Sequence, residues 1–164
     1  MALRQILMHG DETLQKTSRP VTRFDKRLHT LLDDMMETLR DARGAGLAAP
    51  QIGVLRRAVV IEVEEGAPIE LVNPEIVREE GEQDGPEGCL SIPGLYGIVK
   101  RPMRVTVRAQ DRHGQPVTVT GEDMLARAFC HEIDHLNGRL FTELATEYLD
   151  REEPPASEDG GAPV

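Results

Sequence analysis

Apolar residues recur at helical spacing in two segments, one in each half of the chain. The first segment runs from residue 24 to residue 42, and its apolar positions are Phe24, Leu28, Leu31, Leu32, Met35, Leu39 and Ala42. The second runs from residue 125 to residue 138, with apolar positions at Leu125, Ala128, Phe129, Ile133 and Leu136. Residues three and four apart share one face of a helix. The pattern therefore predicts an N-terminal amphipathic helix and a second helix in the C-terminal half.

The region between these helices alternates β-branched runs with turn residues, which is typical of strands. We predict strands at residues 58–63, 69–72, 76–78, 103–109 and 117–120, and a turn-rich loop at residues 85–94. The first 22 residues are expected to be mostly irregular. Because the strands follow one another while the helices lie at the two ends, we expect an α+β fold. Mostly antiparallel β-sheets would pack around the second helix.

The length and charge of the chain limit what it can be. Its 164 residues suffice for one domain, which we assign to residues 1–150, and the acidic residues 151–164 predict a disordered tail rich in proline and glycine. A formal net charge of −10 argues against nucleic acid binding. Because we find no secretory leader and no apolar run of membrane-spanning length, we expect a cytoplasmic protein with reduced cysteines that does not bind membranes.

The second helix carries a His-Glu-x-x-His motif formed by His131, Glu132 and His135. Side chains four residues apart lie on one helical face, so both imidazoles can bind a single metal ion. Glu132 would lie beside that ion and take a proton from water that the ion activates. Two histidines on a buried helix can also be core residues without a ligand. The motif alone leaves both interpretations open.

A third ligand is available at Cys89, in the turn-rich loop. One thiolate and two imidazoles suit zinc or ferrous iron and leave the fourth coordination position for water. A metzincin site is excluded because Phe141 stands where its third histidine belongs. A site completed by a second glutamate is less favoured, since the nearby acidic residues lie just after the helix or in the tail. A structural site using Cys130 is disfavoured because that residue points about 100° away from His131 on a helix.

Three stretches together resemble the signature motifs of bacterial peptide deformylases. They are Gly-Ala-Gly-Leu-Ala-Ala-Pro-Gln at residues 44–51, Glu-Gly-Cys-Leu-Ser at residues 87–91 and His-Glu-Ile-Asp-His at residues 131–135. The resemblance implies a metallohydrolase that removes the formyl group from the N-terminal formyl-methionine of nascent polypeptides. It also implies one divalent metal ion bound by Cys89, His131 and His135. That ion is natively ferrous iron in this family, with zinc, nickel or cobalt as substitutes.

The same resemblance suggests roles for residues around the metal. Glu132 would be the general base, while the side-chain amide of Gln51 and the backbone N–H of Leu90 would stabilise the oxyanion. An extended peptide would hydrogen-bond like an added strand beside Ala45, Gly46 and Gly88. Glu87 and Arg101 resemble an ion pair that braces the cysteine loop.

The methionine side chain of the substrate is expected to contact the helix turns before His131, at Met124, Arg127 and Ala128. The stem of Arg127 would line this pocket while its guanidinium reaches water. Cys130 is expected to pack rather than react. Tyr96 stands where some family members have an arginine that contacts the substrate.

Other functions remain compatible with parts of the pattern. A different amidase or metallopeptidase can use the same Cys-His-His site, and a zinc-stabilised binding module is a non-enzymatic alternative. A transient contact with the ribosome would suit an enzyme of nascent chains. The acidic tail, however, does not predict the C-terminal helix through which some family members make that contact.

Overall fold

The computed structural model describes residues 2–149, so the predicted disordered tail lies outside the described residues. Two α-helices are present, α1 (Lys26–Ala42) and α2 (Asp123–Leu136). The strands are β1 (Gly46–Ala48), β2 (Ala58–Ile61), β3 (Ile69–Glu80), β4 (Gln83–Cys89), β5 (Ile92–Arg101), β6 (Arg104–Gln110), β7 (Pro116–Glu122) and β8 (Glu147–Leu149). Short 3₁₀ helices form at Glu12–Gln15, Ala49–Ile52 and Phe141–Glu143.

The strands form two antiparallel sheets. The larger sheet has the order β1-β2-β3-β6-β7, and the smaller has the order β4-β5-β8. Every described pair of neighbouring strands in the two sheets runs antiparallel. The predicted α+β class, with helices near the two ends of the chain and antiparallel sheets between them, is confirmed.

Residues 69–78 form one strand rather than the two short strands predicted. Asn73 adopts a left-handed conformation with φ of 52°, and the pairing of β3 with β6 shifts register between Val72 and Glu75. The Asn73 side chain accepts from the N–H of Val21 at 2.8 Å and donates to its carbonyl at 2.9 Å. Asn73 and Pro74 therefore make a bulge inside a continuous strand, where a proline is tolerated.

The predicted loop at residues 85–94 is wrong, because these residues belong to a β-hairpin. Strands β4 and β5 pair from Gln83 and Arg101 to Cys89 and Ile92, and a turn at residues 90–91 joins them. The glycines and prolines of this segment obscured its strand character. The hairpin places Cys89 at the tip of β4, beside the turn.

Helix α2 packs on one face of the larger sheet and α1 packs on the other. Alternate residues of β2 reach opposite faces, so Val59 and Ile61 join the core cluster of α2 while Ala58 and Val60 join that of α1. The α2 cluster also contains Leu71, Val105, Val107, Ala126, Phe129 and Leu136. The apolar side chains of α2 are therefore packed against those of the larger sheet, which fixes the position of the helix. Within residues 2–149, neither helix is long and apolar enough to cross a membrane.

Candidate metal centre

Three candidate ligands converge in the interior of the protein. Helix α2 brings Nε2 of His131 within 3.2 Å of Nε2 of His135, as their four-residue spacing predicts. The β4 tip places Sγ of Cys89 3.3 Å from the same nitrogen of His135. All three residues are at most 2% exposed. The ligand atoms lie within 4.8 Å of one another.

The separations of these atoms fit one tetrahedral metal ion. Two nitrogens bound at about 2.1 Å around a tetrahedral ion are roughly 3.4 Å apart, and a thiolate sulfur lies slightly farther from each nitrogen. The observed distances of 3.2 and 3.3 Å are a few tenths of an ångström shorter than these values, and the remaining separation is at most 4.8 Å. Three protein ligands leave a fourth position open, which is typical of catalytic rather than structural zinc sites.

Buried charges orient the imidazole of His131. Its Nδ1 lies 2.5 Å from Oε2 of Glu87, and Arg101 binds both oxygens of that carboxylate at 3.0 and 2.7 Å. Burial disfavours the ionised carboxylate, but His131 and Arg101 outweigh it and hold the pKa of Glu87 well below its usual range. The carboxylate assigns the proton of His131 to Nδ1, so the Nε2 lone pair faces the site.

His135 differs from His131 because its Nδ1 lacks a hydrogen-bond partner among residues 2–149. Burial and the neighbouring charge of His131 hold the pKa of His135 well below its usual value. Burial also lowers the pKa of His131, but the carboxylates of Glu132 and Glu87 raise it above the usual value overall. A neutral imidazole and a more basic one therefore present their Nε2 atoms to the same point.

Glu132 has the surroundings expected of a general base. Its side chain is fully buried, and neither carboxylate oxygen has a hydrogen-bond partner in the described part of the chain. Burial raises the pKa of Glu132 to about 7. A Cβ atom on Gly46 would lie only 2.5 Å from Oε2 of Glu132. A side chain at residue 46 would therefore displace this carboxylate from its position.

Gln51 lies on the opposite wall of the centre. Its Oε1 accepts from the N–H of Ala48 at 2.9 Å, which turns Nε2 toward Ser91 Oγ at 3.1 Å and Cys89 Sγ at 3.6 Å. The N-terminal segment contacts both the 3₁₀ helix that contains Gln51 and the turn that contains Ser91. Leu7 N–H donates to the Gln51 carbonyl at 2.7 Å. His9 N–H donates to the Ser91 carbonyl at 2.8 Å. Leu90, in the turn beside Cys89, is half-buried.

The predicted peptide-binding residues lie around this centre. Ala45 and Gly46 lie at β1, which is an edge strand of the larger sheet. Gly88 precedes Cys89, and a Cβ there would lie 2.7 Å from the ring of Tyr96. Thus the missing side chains of Gly46 and Gly88 make room for other protein atoms, which is a different reason from the open backbone we expected.

The pocket residues predicted on α2 differ in their surroundings. Met124 is half-buried at the margin of the α2 core cluster, and Ala128 is fully buried inside it. The expectation that the Arg127 guanidinium reaches water is wrong, because the residue is 3% exposed. Its Nη1 donates to Oε1 of Glu87 and to the carbonyl of Val99, both at 3.0 Å. Arg127 therefore turns toward the β4-β5 hairpin.

Two expectations about neighbouring residues agree with the structure. Glu87 and Arg101 form a buried ion pair, being 2% and 5% exposed. Cys130 packs in the α2 core cluster, where burial raises the pKa of its thiol to about 12. Asp134, which we did not single out, also binds Arg101 at 2.8 Å. The four-residue spacing of Arg127 from His131 is a signal in the sequence that would have placed it on the ligand face.

The sequence profile of the polypeptide deformylase family matches residues 3–150. The chain belongs to this family. It is 57% identical to the peptide deformylase of Caldanaerobacter subterraneus subsp. tengcongensis over 153 residues, which cover 93% of this chain and 96% of that protein. The resemblance that we drew from three short motifs is thereby confirmed over nearly the whole chain.

Solved structures of polypeptide deformylases share the fold. The Legionella pneumophila enzyme superposes with a TM-score of 0.85 at 51% identity, covering 88% of this chain and 86% of that one. The Synechococcus elongatus enzyme, solved in complex with actinonin, gives a TM-score of 0.84 at 39% identity, covering 87% and 80%. The chain is therefore a metallohydrolase of this family, and it contains the Cys-His-His cluster that a metal-dependent deformylase needs.

Proposed function

We propose that this chain removes the formyl group from the N-terminal formyl-methionine of nascent polypeptides, releasing formate, at the centre formed by Cys89, His131 and His135. One observation carries the proposal. A fully buried carboxylate, Glu132, has no hydrogen-bond partner among residues 2–149 and adjoins three converging metal ligands. A structural metal site has no use for such a costly unpaired group, whereas a hydrolase needs a base there.

The metal and Glu132 have complementary roles. Cys89, His131 and His135 would hold a divalent ion, which would supply Lewis-acid activation of water and of the formyl carbonyl. Glu132 accepts the proton of the attacking water and later delivers it to the departing amine. Burial raises the pKa of Glu132 above the usual value of a glutamate, which is the direction that a general base near neutral pH requires.

Gln51 is the donor that we assign to the developing oxyanion, together with the backbone N–H of Leu90. The hydrogen bond from Ala48 to Oε1 fixes the orientation of the amide, so Nε2 points into the centre without rearrangement. A preorganised donor of this kind contributes about 3 kcal/mol in the transition state. The Ser91 hydroxyl accepts a hydrogen bond from Nε2 of Gln51 and so holds the amide near Cys89.

The free edge of β1 is the surface that we assign to the peptide backbone. The carbonyl of Ala45 accepts from the N–H of Glu62 at 2.8 Å, which fixes the alternation of the β1-β2 ladder. The N–H and C=O of Gly46 therefore point away from β2, toward the free edge. The Glu132 carboxylate lies where a side chain of Gly46 would be. A peptide paired with Gly46 would therefore pass beside Glu132. Gly88 would flank the peptide from the β4 side.

The finer assignments follow from the same site. We assign the methionine side chain to a pocket bordered by Met124 and Ala128, and ferrous iron as the native metal, with zinc, nickel and cobalt as substitutes. Thiolate and imidazole ligands accept all of these ions, so availability decides among them. Action on nascent chains places the enzyme in the cytoplasm, with transient contact at the ribosome.

The test compares formyl-Met-Ala-Ser with acetyl-Met-Ala-Ser. Protein stripped of metal is reloaded without oxygen with ferrous iron or nickel, and released formate, acetate and formyl-methionine are measured. We expect formate release in proportion to bound metal, much slower acetate release, and no formate from a Cys89→Ala variant that lacks one ligand. Release of formyl-methionine in place of formate would show cleavage of the Met–Ala bond, identify a metallopeptidase and refute the proposal.

A further inference from the structure

Arg127 lies on the same face of α2 as the two histidine ligands. Residues 127, 131 and 135 follow one another at intervals of four, so their side chains are aligned along the helix. The Arg127 guanidinium is buried and donates to Glu87, to the Val99 carbonyl and, at 3.4 Å, to Oε1 of Gln83. Arg127 thus connects the ligand helix to both strands of the hairpin that carries Cys89.

The Glu87 carboxylate receives donors on both oxygens. Oε1 accepts from Arg127 and from Nε of Arg101, each at 3.0 Å. Oε2 accepts from Nη2 of Arg101 and faces Nδ1 of His131. Arg127 also donates to the Val99 carbonyl of β5. This second hydrogen bond holds the guanidinium in place against Oε1 of Glu87. This anchoring holds the carboxylate plane in the orientation that meets the imidazole.

Arg101 is shared between two carboxylates. It binds both oxygens of Glu87 and also Asp134 at 2.8 Å, and the Asp134 side chain is partly exposed. Arg127 is the second guanidinium on the buried Glu87 carboxylate. Without Arg127, Glu87 would keep its contact with His131 but only one guanidinium, which it shares with Asp134.

The hairpin leaves room for this guanidinium at Gly85. A Cβ added to Gly85 would lie 3.1 Å from Nη2 of Arg127, closer than ordinary contact. Gly85 has no side chain on the surface against which Arg127 packs. Both the strand and the helix therefore accommodate the buried arginine.

We propose that Arg127 is a positioning residue that holds Glu87 in the orientation required by His131, and so controls how tightly the centre retains its metal. We therefore withdraw Arg127 from the predicted methionine pocket and assign it to this network. The inference rests on the proposed function only in that Cys89, His131 and His135 bind a divalent ion. Partners of metal-ligating histidines typically change metal affinity or activity 10–100-fold when removed.

The first readout needs no substrate. Zinc-loaded protein is mixed with an excess of a chromogenic chelator, and the rate of zinc release is followed. We expect Arg127→Met to release zinc about 10–100-fold faster than the unmodified chain. Arg127→Lys restores the charge but not the planar fork that binds Glu87 and Val99 together, so its rate should fall between the two.

The second readout reports on His131 directly. In ¹⁵N-labelled, zinc-loaded protein, the Nδ1 proton of His131 should be protected from exchange with water by its contact with Glu87. Arg127→Met should broaden this imidazole signal through faster exchange. At saturating zinc, KM for formyl-Met-Ala-Ser should stay unchanged, because Arg127 does not contact the substrate.

Arg57→Met is the matched control. Arg57 is a half-buried arginine that, like Arg127, forms a hydrogen bond to a backbone carbonyl: it donates to the Leu136 carbonyl of α2 at 3.1 Å, but it does not contact Glu87. Its loss should lower stability without changing zinc release or the His131 signal. If Arg127→Met fails to fold, Arg127→Lys keeps the buried charge without the planar fork and should still release zinc faster than the unmodified chain.

Three results would overturn the inference. They are unchanged zinc release in a folded Arg127→Met or Arg127→Lys variant, equal acceleration in Arg57→Met, or a change in KM and side-chain preference with zinc retention intact. Because zinc release and the imidazole signal are measured without a formyl peptide, a failure of deformylation itself is separately visible. Faster zinc release from a chain that releases no formate would support this inference and refute the proposed function.

Discussion

Substituting alanine for Gly46 should displace the general base without touching any metal ligand. The added Cβ would lie 2.5 Å from Oε2, 2.9 Å from Cδ and 3.0 Å from Cγ of Glu132. Ordinary contacts need about 3.5 Å, so the carboxylate must retreat by roughly 1 Å. Misplacement of a catalytic group by that distance costs about 10²-fold in rate, equivalent to about 2.7 kcal/mol.

The assay is a double-mutant cycle on kcat for formate release at full metal occupancy. We expect Gly46→Ala to lower kcat about 100-fold when Glu132 is present. In a Glu132→Ala background no carboxylate remains to be displaced, so adding Gly46→Ala should change kcat by less than about threefold. This dependence on Glu132 separates displacement of the base from a general disturbance of β1.

Gly121→Ala is the matched control for crowding. Its Cβ would lie 2.5 Å from Cγ of Leu125, so it presses on α2 as closely as Gly46→Ala does, but against an apolar side chain. Overpacking should lower its stability by about 1–3 kcal/mol while kcat per metal-loaded molecule is retained. An unchanged kcat in Gly46→Ala, or an equal loss in the Glu132→Ala background, would refute the reasoning.

Three further substitutions test other parts of the structure. Gln51→Ala should lower kcat by about 10²–10³-fold with little change in metal content, and a change confined to KM would contradict its role at the oxyanion. Asn73→Gly keeps the left-handed backbone but loses the side-chain hydrogen bonds, so urea unfolding should show a loss of about 1–3 kcal/mol; an unchanged midpoint would contradict the bulge as described. The N–H of Ala2 and, despite burial, the charge of Arg4 hold the pKa of Asp34 below its usual value, so Asp34 stabilises the fold above pH 4. Asp34→Asn should therefore be less stable at pH 7, and its difference from the unmodified chain should shrink as pH falls below about 4; a difference independent of pH would contradict this.

Sequence periodicity was sufficient to predict both helices and the pairing of the two histidines. A four-residue spacing has one geometric consequence on a helix, so His131 and His135 had to share a face. The agreement between the predicted and observed α2 follows from its apolar stripe, which packs on the larger sheet.

The β4-β5 hairpin was missed because β4 is poor in strand formers and because the glycines and prolines at residues 85–94 indicate turns. Gly85 and Gly88 make space for Arg127 and Tyr96, respectively. Their composition reflects close packing in the folded protein, which local propensity does not register. The same limit explains β3, where the side chain of Asn73 bonds to Val21, 52 residues away, and so keeps the strand continuous through a proline.

The direction of Arg127 was mispredicted for a related reason. The four-residue spacing of Arg127 from His131 puts it on the ligand face of α2, but only the position of the hairpin shows that Glu87 and Val99 lie within its reach. Long-range partners of a charged side chain depend on tertiary structure. The sequence alone does not distinguish an Arg127 side chain that reaches water from one that binds a buried carboxylate.

The most direct test of deformylation by this centre is formate release by Glu132→Gln at full metal occupancy. Glutamine has nearly the same shape as glutamate but is not a proton acceptor at neutral pH, so the three ligands should still bind metal. We predict metal content equal to that of the unmodified chain and a kcat for formyl-Met-Ala-Ser lowered by about 10²–10⁴-fold. Undiminished formate release from metal-loaded Glu132→Gln would contradict the assignment of the base, and with it the account of this centre.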